Sequence, residues 1–266
     1  MGQIMMLASG KGGVGKSTLT AALGVCYAKR GLRALVLDAD VGLRNLDLML
    51  GMQDRVLYEL TDCVNRRCTF DEALVPHHRY PLLHLLSAGQ DARPKDFVRK
   101  DLGRTLKTLR PRYDMILIDA PAGIGRGIKN FIGLADRFIL VATPDDICLR
   151  DTEKTGRILS EDGQDHPGLV LNRYDWQLAR QGAIPMPQHL ATAMDMPLLG
   201  VIPQDDSIYR ALLSGRTMAE EGAPRVTAAV EGLADRLQGL PTPIEPPKER
   251  LADRMRRLFE KEVGRP

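Results

Sequence analysis

The stretch Ser9–Thr18, with the sequence SGKGGVGKST, decides the fold of this chain. It follows the short apolar run Ile4–Ala8 and precedes a helical pattern over Ser17–Arg30. Its residues 10–17 satisfy the pattern G-x-x-x-x-G-K-[ST] in full. Glycines let successive backbone N–H groups surround an anion, and the positive end of the following helix dipole points at the same place. The stretch therefore predicts a phosphate-binding loop between a strand and a helix.

Three side chains of this loop have distinct expected roles. Lys16 should reach the β- and γ-phosphates of a nucleotide, and the Ser17 hydroxyl should ligate Mg²⁺. Lys11 is a second lysine at the start of the loop, which an ordinary nucleotide cradle does not need. We expect the whole loop to contact the nucleotide: Gly10, Lys11, Gly12, Gly13, Val14, Gly15, Lys16, Ser17 and Thr18.

Short apolar runs recur along the chain with helical patterns between them. The runs are continuous rather than alternating, as expected for strands covered on both faces. This alternation predicts an α/β fold with a doubly wound, mostly parallel sheet of the P-loop NTPase type. The predicted strands are Ile4–Ala8, Ala34–Leu37, Leu82–Leu86, Met115–Ile118, Phe138–Ala142, Leu169–Leu171 and Leu199–Ile202. The predicted helices include Ser17–Arg30, Asp96–Leu109, Ile147–Leu159 and Arg225–Leu237.

Acidic residues end two of these strands, where ligands bind in such sheets. Asp119 follows an apolar strand downstream of a phosphate loop, which is the Walker B arrangement that holds Mg²⁺. Asp38 and Asp40 end the second strand as a pair that could order metal-bound water and orient an attacking water. Helix capping or a solvated turn is the alternative for this pair. The segment Pro121–Gly125 is expected to act as a switch that senses the γ-phosphate.

The charge of the chain is concentrated at its end. The 266 residues carry a net charge of +3, and the last nineteen, with seven basic and four acidic residues, account for the whole excess. A neutral body argues against broad nucleic-acid binding, whereas a basic tail indicates an anionic surface. The four cysteines show no CxxC spacing, which is typical of reduced thiols in a cytoplasmic protein.

The end of the chain divides into two segments after an ATPase domain at 1–238. Residues 239–249 hold four prolines and predict a semi-rigid linker. Residues 250–266 predict an amphipathic helix for an interface with lipid. One such helix is marginal, since ordering costs about 1–2 kcal/mol per residue, but two helices on a dimer bind together. Packing on its own domain or a coiled coil is the alternative. The expected membrane residues are Leu251, Met255, Leu258 and Phe259, flanked by Arg254 and Arg257.

Four parts of the chain together carry a family resemblance. They are Ser9–Thr18, Asp38–Asp47 (DADVGLRNLD), Asp119–Ile124 (DAPAGI) and the basic tail. They resemble the MinD-type, septum-positioning members of the deviant Walker A ATPase family, and the likeness covers nearly the whole chain. The resemblance implies a Mg²⁺-dependent ATPase that hydrolyses ATP to ADP and phosphate.

The resemblance also implies roles for single residues. Lys11 would reach across an ATP-bound homodimer to the partner's nucleotide and act in catalysis with Lys16 and Asp40. Asp40 would lie near the hydrolytic water, and Asp38 would join Ser17 and Asp119 near Mg²⁺. The matching positions for adenine are Asn172, Arg173, Pro203 and Asp205.

Partners and location follow from the same resemblance. Arg150 and Asp151 match a helix that docks MinC-like and MinE-like proteins, although a solvated helix face is the alternative reading. The implied protein is cytoplasmic, binds peripherally to the inner face of the cell membrane, and positions the division septum. Two other functions stay open at this point: a flagellar-placement ATPase of the FlhG kind and a DNA-partition ATPase of the ParA kind.

Overall fold

The fold is built on one eight-stranded sheet with the order β3-β4-β2-β5-β1-β6-β7-β8. The computed structural model describes residues 2–40, 45–89, 98–123, 125–164 and 166–247. The strands are β1 (Gln3–Ala8), β2 (Ala34–Asp38), β3 (Val75–Pro76), β4 (Leu83–Ser87), β5 (Met115–Asp119), β6 (Arg137–Ala142), β7 (Gly168–Tyr174) and β8 (Leu198–Pro203).

Six of the seven strand pairings are parallel, as the alternating pattern predicts. Both β2 and β5 are buried along their whole length, which explains why their apolar runs are continuous. The pairing of β2 with β5 places Asp38 directly opposite Asp119. The two acids that end separate strands are thereby neighbours at one edge of the sheet.

The short edge strand β3 was not predicted. It pairs antiparallel with β4 over two residues, Val75 and Pro76. Two residues carry no periodicity, and Pro76 has no N–H to donate, which confines it to an edge. The seven predicted strands are otherwise present with ends shifted by one to three residues.

Helices connect and flank the strands. The longest are α1 (Lys16–Lys29), α5 (Arg99–Leu109), α7 (Asp146–Glu161) and α12 (Pro224–Leu237), which match the four predicted helical patterns. The shorter ones were missed, since four to eight residues show little periodicity. They are α2 (Asn45–Met49), α3 (Leu60–Val64), α4 (Phe70–Ala73), α6 (Arg126–Lys129), α8 (Trp176–Arg180), α9 (Pro187–Ala193), α10 (Asp206–Leu213) and α11 (Met218–Glu221).

Helix α1 lies in the core rather than on the surface. Eleven of its fourteen residues are buried, because it packs on β2, β4 and β5 and is covered by α11 and α12. Gly24 permits this approach, since a Cβ there would lie 2.6 Å from the Val36 side chain. The burial fixes the start of α1, and with it the preceding loop, against the carboxyl ends of the strands.

The proline-rich segment lies on the body of the protein. Residues 239–247 form no helix or strand, and the Arg236 guanidinium donates to the carbonyl oxygens of Thr242 and Pro243 at 2.9 and 3.3 Å. Further along, Arg180 donates to the Pro247 carbonyl at 3.2 Å. The expected linker is therefore held at several points, and we call residues 239–247 the strap.

Several predictions fall on residues outside the described ranges. The tail helix at 250–266, with its apolar and basic membrane residues, is one of them. Residues 41–44 of the family-specific string and Ile124 are others. Within the described part of the chain, no helix has both the length and the apolar character needed to cross a bilayer.

Candidate nucleotide-binding site

The phosphate loop has the backbone that its glycines predict. Gly13 and Gly15 adopt positive φ of 80° and 91°, which side-chain-bearing residues rarely tolerate. Gly15 is also pressed against β7, where a Cβ would lie 2.3 Å from Nδ2 of Asn172. That amide nitrogen donates to the Val14 carbonyl at 2.7 Å. Asn172 is predicted to contact a base. In the structure its side chain packs against the phosphate loop and hydrogen-bonds to it.

Lys16 lies against Asp119 in this structure. Its Nζ is 2.7 Å from Oδ1 of Asp119, and the two side chains are 7% and 0% exposed. Thr20, one turn along α1, places its hydroxyl 3.4 Å from the same oxygen. The other carboxylate oxygen, Oδ2, is buried and has no hydrogen-bond partner among the described residues. The loop lysine and the strand acid, predicted separately, meet in one buried ion pair.

The second strand acid, Asp38, lies beside the Lys16–Asp119 pair in surroundings that carry more negative than positive charge. Asp38 accepts backbone hydrogen bonds from Asp40 at 3.0 Å and Leu46 at 3.3 Å. Burial and then the neighbouring Asp119 raise the pKa of Asp38 to about 7 in spite of those bonds. Burial is also the largest cause of the raised pKa of Asp40, to which Asp119 adds while Lys16 opposes it. Among the described residues of the site, one lysine lies near three carboxyl groups, an excess of negative charge that favours an added cation.

The residues present fit a magnesium ion. Mg²⁺ prefers oxygen ligands and is usually held by one or two carboxylates together with phosphate oxygens and water. Asp38 and Asp119 are two neighbouring buried carboxylates, and Ser17 hydrogen-bonds Asp119 through its side chain. Among the described residues, no group of three or more His, Cys, Asp or Glu side chains could hold a metal by itself. A cation here would therefore share its ligands with a bound phosphate.

The residues predicted for the base meet where β7 and β8 end. Tyr174 is paired with Pro203, and the Gln204 N–H donates to the Tyr174 carbonyl at 3.0 Å. Arg173 is exposed, with a φ of 52° at an irregularity in the pairing of β7 with β8, a conformation that often marks a functional site. Oδ1 of Asn172 is buried and finds no hydrogen-bond partner in the part of the chain that the structure describes. An amino group on a bound base could supply one.

Asp205 begins the helix that follows β8. Its Oδ1 accepts from the Ser207 N–H at 2.9 Å, which caps α10. The side chain is 6% exposed and is paired with Arg225, a residue that the sequence offered no reason to select. The carboxylate of Asp205 therefore connects this loop to α10 and to α12.

The start of the phosphate loop lies directly on α7, the helix predicted to dock partners. A Cβ on Gly10 would lie 2.5 Å from the backbone carbonyl carbon and oxygen of Asp151. Lys11 is exposed, and Arg150 is exposed on α7. Hydrogen bonds from Thr143 and the Cys148 N–H lower the pKa of Asp145, and Lys11 adds to this. The start of the phosphate loop therefore packs against the helix that carries the predicted docking residues, a contact that the glycine-rich motif alone did not indicate.

Known proteins share this arrangement over most of the chain. The family model of the CobQ/CobB/MinD/ParA nucleotide binding domain matches residues 5–218. The septum site-determining protein MinD of Thermotoga maritima is 34% identical over 247 residues, which cover 92% of this chain and 91% of that protein. MinD of Bacillus subtilis is likewise 34% identical, with 92% of each chain covered.

Solved structures agree with the sequence comparison. A chain of the MinC:MinD cell division protein complex of Aquifex aeolicus superposes with a TM-score of 0.82 at 30% identity, covering 92% of this chain and 98% of that one. MinD of Pyrococcus horikoshii, complexed with Mg-ADP, gives a TM-score of 0.78 at 32% identity, covering 89% and 96%. The chain therefore belongs to the MinD family of septum site-determining proteins, within the CobQ/CobB/MinD/ParA nucleotide-binding domains.

Proposed function

We propose that this protein is an ATP- and Mg²⁺-dependent ATPase that cycles on and off the membrane and positions the division septum. The observation that carries the proposal is the buried Lys16–Asp119 pair beneath a loop that also exposes Lys11. The first two residues meet the needs of phosphate and metal binding in one chain. The exposed lysine is available to a second chain. The relatives that are septum site-determining proteins support the cellular role.

The residues divide the catalytic work among them. The backbone of the loop and the Lys16 ammonium bind the phosphates, so Lys16 leaves Asp119 when a nucleotide enters. Asp38, Asp119 and Ser17 would hold Mg²⁺, which supplies neutralising charge for phosphoryl transfer. Asp40, whose pKa is raised by burial, is suited to hold and orient a water near the γ-phosphate. Asn172 and the loop at 203–205 hold the adenine.

Dimerisation converts nucleotide binding into membrane binding. Lys11 of each chain contacts the nucleotide of the other, so ATP closes a homodimer and hydrolysis opens it. Two tails at 250–266 on one dimer then bind an anionic lipid surface that a single tail holds weakly. The protein is peripheral on the inner face of the cell membrane in this account.

Partners act through α7. The chain in the Aquifex aeolicus MinC:MinD complex has the same fold as this one, which supports a MinC-like inhibitor as a partner here. Arg150 and Asp151 are the proposed docking residues for this inhibitor and for a MinE-like activator. Because Gly10 packs against Asp151, a partner protein that docks at Asp151 would act on the first residue of the phosphate loop.

The two lysines provide the test of this proposal. Lys16→Ala should abolish ATP binding, because the loop loses its phosphate cation. Lys11→Ala should retain ATP binding in equilibrium dialysis but elute as a monomer with ATP on size-exclusion chromatography, and it should lose most ATP hydrolysis. An ATP-dependent dimer of the Lys11→Ala variant would refute the cross-dimer role. Absence of ATP hydrolysis by the unaltered protein, with lipid and partner present, would refute the enzymatic proposal.

A further inference from the structure

The first turn of α12 contacts the loop that follows β8. Nε of Arg225 donates to Oδ2 of Asp205 at 2.7 Å, and a terminal guanidinium nitrogen lies 2.7 Å from the same oxygen. That nitrogen also lies 3.4 Å from the Gln204 carbonyl oxygen. The guanidinium thus joins a side chain and a backbone carbonyl of two consecutive loop residues.

A second contact connects the start of α10, directly after this loop, with the start of α12. The hydroxyl oxygen of Ser207 accepts from the Ala223 N–H at 2.8 Å, and the Ser207 N–H donates to Asp205. The Gln204 N–H is meanwhile bonded to Tyr174 on β7. The loop 203–206 is therefore fixed from both sides, by β7 and by α12. Its backbone has little freedom to turn.

We infer that Arg225 is a positioning residue that sets how tightly, and how selectively, the loop 203–206 binds the nucleotide base. The inference rests on the proposed function, because it takes the loop to contact adenine. A base is read through hydrogen bonds along its edge, so its recognition depends on the orientation of the groups that line its pocket. Removing the guanidinium would leave the buried Asp205 carboxylate without this partner and free the Gln204 carbonyl to rotate.

The effect should be confined to the base end of the nucleotide. Arg225 is joined to the loop after β8, whereas the phosphates are held by the loop at 10–18 and by Lys16 at the start of α1. Loss of Arg225 should therefore weaken binding of the base and leave binding of the phosphates intact. A global loss of stability would weaken both together, and this difference separates positioning from a merely structural role.

The chain offers a matched control that contacts the same helix from the end of α1. Arg30 pairs with Asp235, toward the other end of α12, at 2.7 Å, and its side chain is 27% exposed against 33% for Arg225. It also donates to the Glu231 carbonyl at 2.9 Å. Arg30→Ala thus removes a comparable pair of contacts to α12 away from the base loop. Arg225→Lys keeps the charge but loses the two-pronged geometry.

Calorimetric titration of the full chain with ATP, GTP and tripolyphosphate tests the inference. Arg225→Ala should bind ATP ~10-fold more weakly, with its preference for ATP over GTP reduced and tripolyphosphate affinity unchanged. Arg225→Lys should bind ATP with an affinity between those of the unaltered protein and Arg225→Ala. If the alanine variant does not fold, the lysine variant provides the test. Arg30→Ala should match the unaltered protein throughout.

Three results would overturn the inference. One is an unchanged ratio of ATP to GTP affinity in both Arg225 variants. A second is a parallel loss of tripolyphosphate binding in those variants. The third is the same loss of ATP affinity in Arg30→Ala. A different result would count against the proposed function itself: the unaltered protein binding ATP no more tightly than tripolyphosphate, which would mean that no base is recognised.

Discussion

Lys16 Nζ lies 2.7 Å from Oδ1 of Asp119, and both groups are almost wholly removed from solvent. The contact joins the start of α1 to the end of β5, so each buried charge is balanced by the other. Asp38 stands opposite Asp119 in the sheet and adds a further carboxyl group. The ion pair therefore couples the phosphate loop to the carboxyl groups that end β2 and β5.

Removing Lys16 should destabilise the protein strongly when no ligand is present. Breaking a buried ion pair from one side typically costs about 3–5 kcal/mol, and Lys16→Met would leave Asp119 uncompensated next to Asp38. We expect urea denaturation without nucleotide to show a loss of this size. Lys29→Met is the control, because Lys29 lies in the same helix and its ammonium group donates to the backbone carbonyl of Ala219. Equal losses of unfolding free energy in the two variants would show that the Lys16–Asp119 pair adds no more stability than the control lysine does.

The glycine at position 10 should be intolerant of any side chain. A Cβ there would meet the Asp151 backbone at 2.5 Å, and backbone cannot swing away as a side chain does. Gly10→Ala should lower the free energy of unfolding by about 1–3 kcal/mol, as overpacking does. At Gly12 the nearest atom to an added Cβ is 3.8 Å away, so Gly12→Ala should change stability by less than about 0.5 kcal/mol. Thermal unfolding of the two variants without nucleotide compares them, and equal melting temperatures would contradict the contact with α7.

Stability should fall in mild acid because of a buried histidine. His77 is 2% exposed, and its Nδ1 accepts from the N–H groups of Arg79 and Tyr80. Burial lowers the pKa of His77 to about 4, with His78 and Arg79 acting in the same direction and Glu220 against them. Between pH 6.5 and about 4 the unfolded chain binds a proton that the folded chain does not. The free energy of unfolding therefore decreases as the pH falls through this window.

The variant His77→Asn isolates this contribution. Its amide oxygen can accept the same two backbone hydrogen bonds, but it does not titrate. Denaturation at pH 7 and at pH 4.5 should show the unaltered protein losing on the order of 2 kcal/mol more than the variant. Parallel losses in both proteins would mean that other groups set the acid response.

The strap at 239–247 should open when its main anchor is removed. Arg236→Ala deletes the hydrogen bonds to the Thr242 and Pro243 carbonyls, while Arg225→Ala removes an arginine elsewhere on α12. Limited proteolysis should cut the Arg236→Ala variant within the strap several times faster than the unaltered protein or the control. Unchanged cleavage rates would show that the strap is held by other contacts.

The sequence predicted the fold of this protein better than its contacts. The spacing of Gly10, Lys16 and Ser17 defined a phosphate loop, because such a loop tolerates few other residue types at those positions. The alternation of strands and helices likewise defined the sheet, which places Asp38 beside Asp119. Both inferences rest on local patterns that survive without knowledge of tertiary structure.

Contacts between distant elements were beyond reach of such patterns. Arg225 contacts Asp205, which lies twenty residues earlier in the chain. Gly10 packs against Asp151, which is also far from it in the sequence. An arginine in the first turn of a helix and a glycine in a motif each have ordinary explanations. Only the packing of α12 and α7 in the structure shows which residues they contact.

Lipid co-sedimentation measures the central claim most directly. The full chain is mixed with vesicles rich in anionic phospholipid, in three portions containing Mg-ATP, Mg-ADP or no nucleotide. The account predicts pelleting with ATP and little without it, and loss of ATP-dependent pelleting when residues 251–266 are deleted or Lys11 is changed to alanine. Equal pelleting in all three nucleotide states would contradict it.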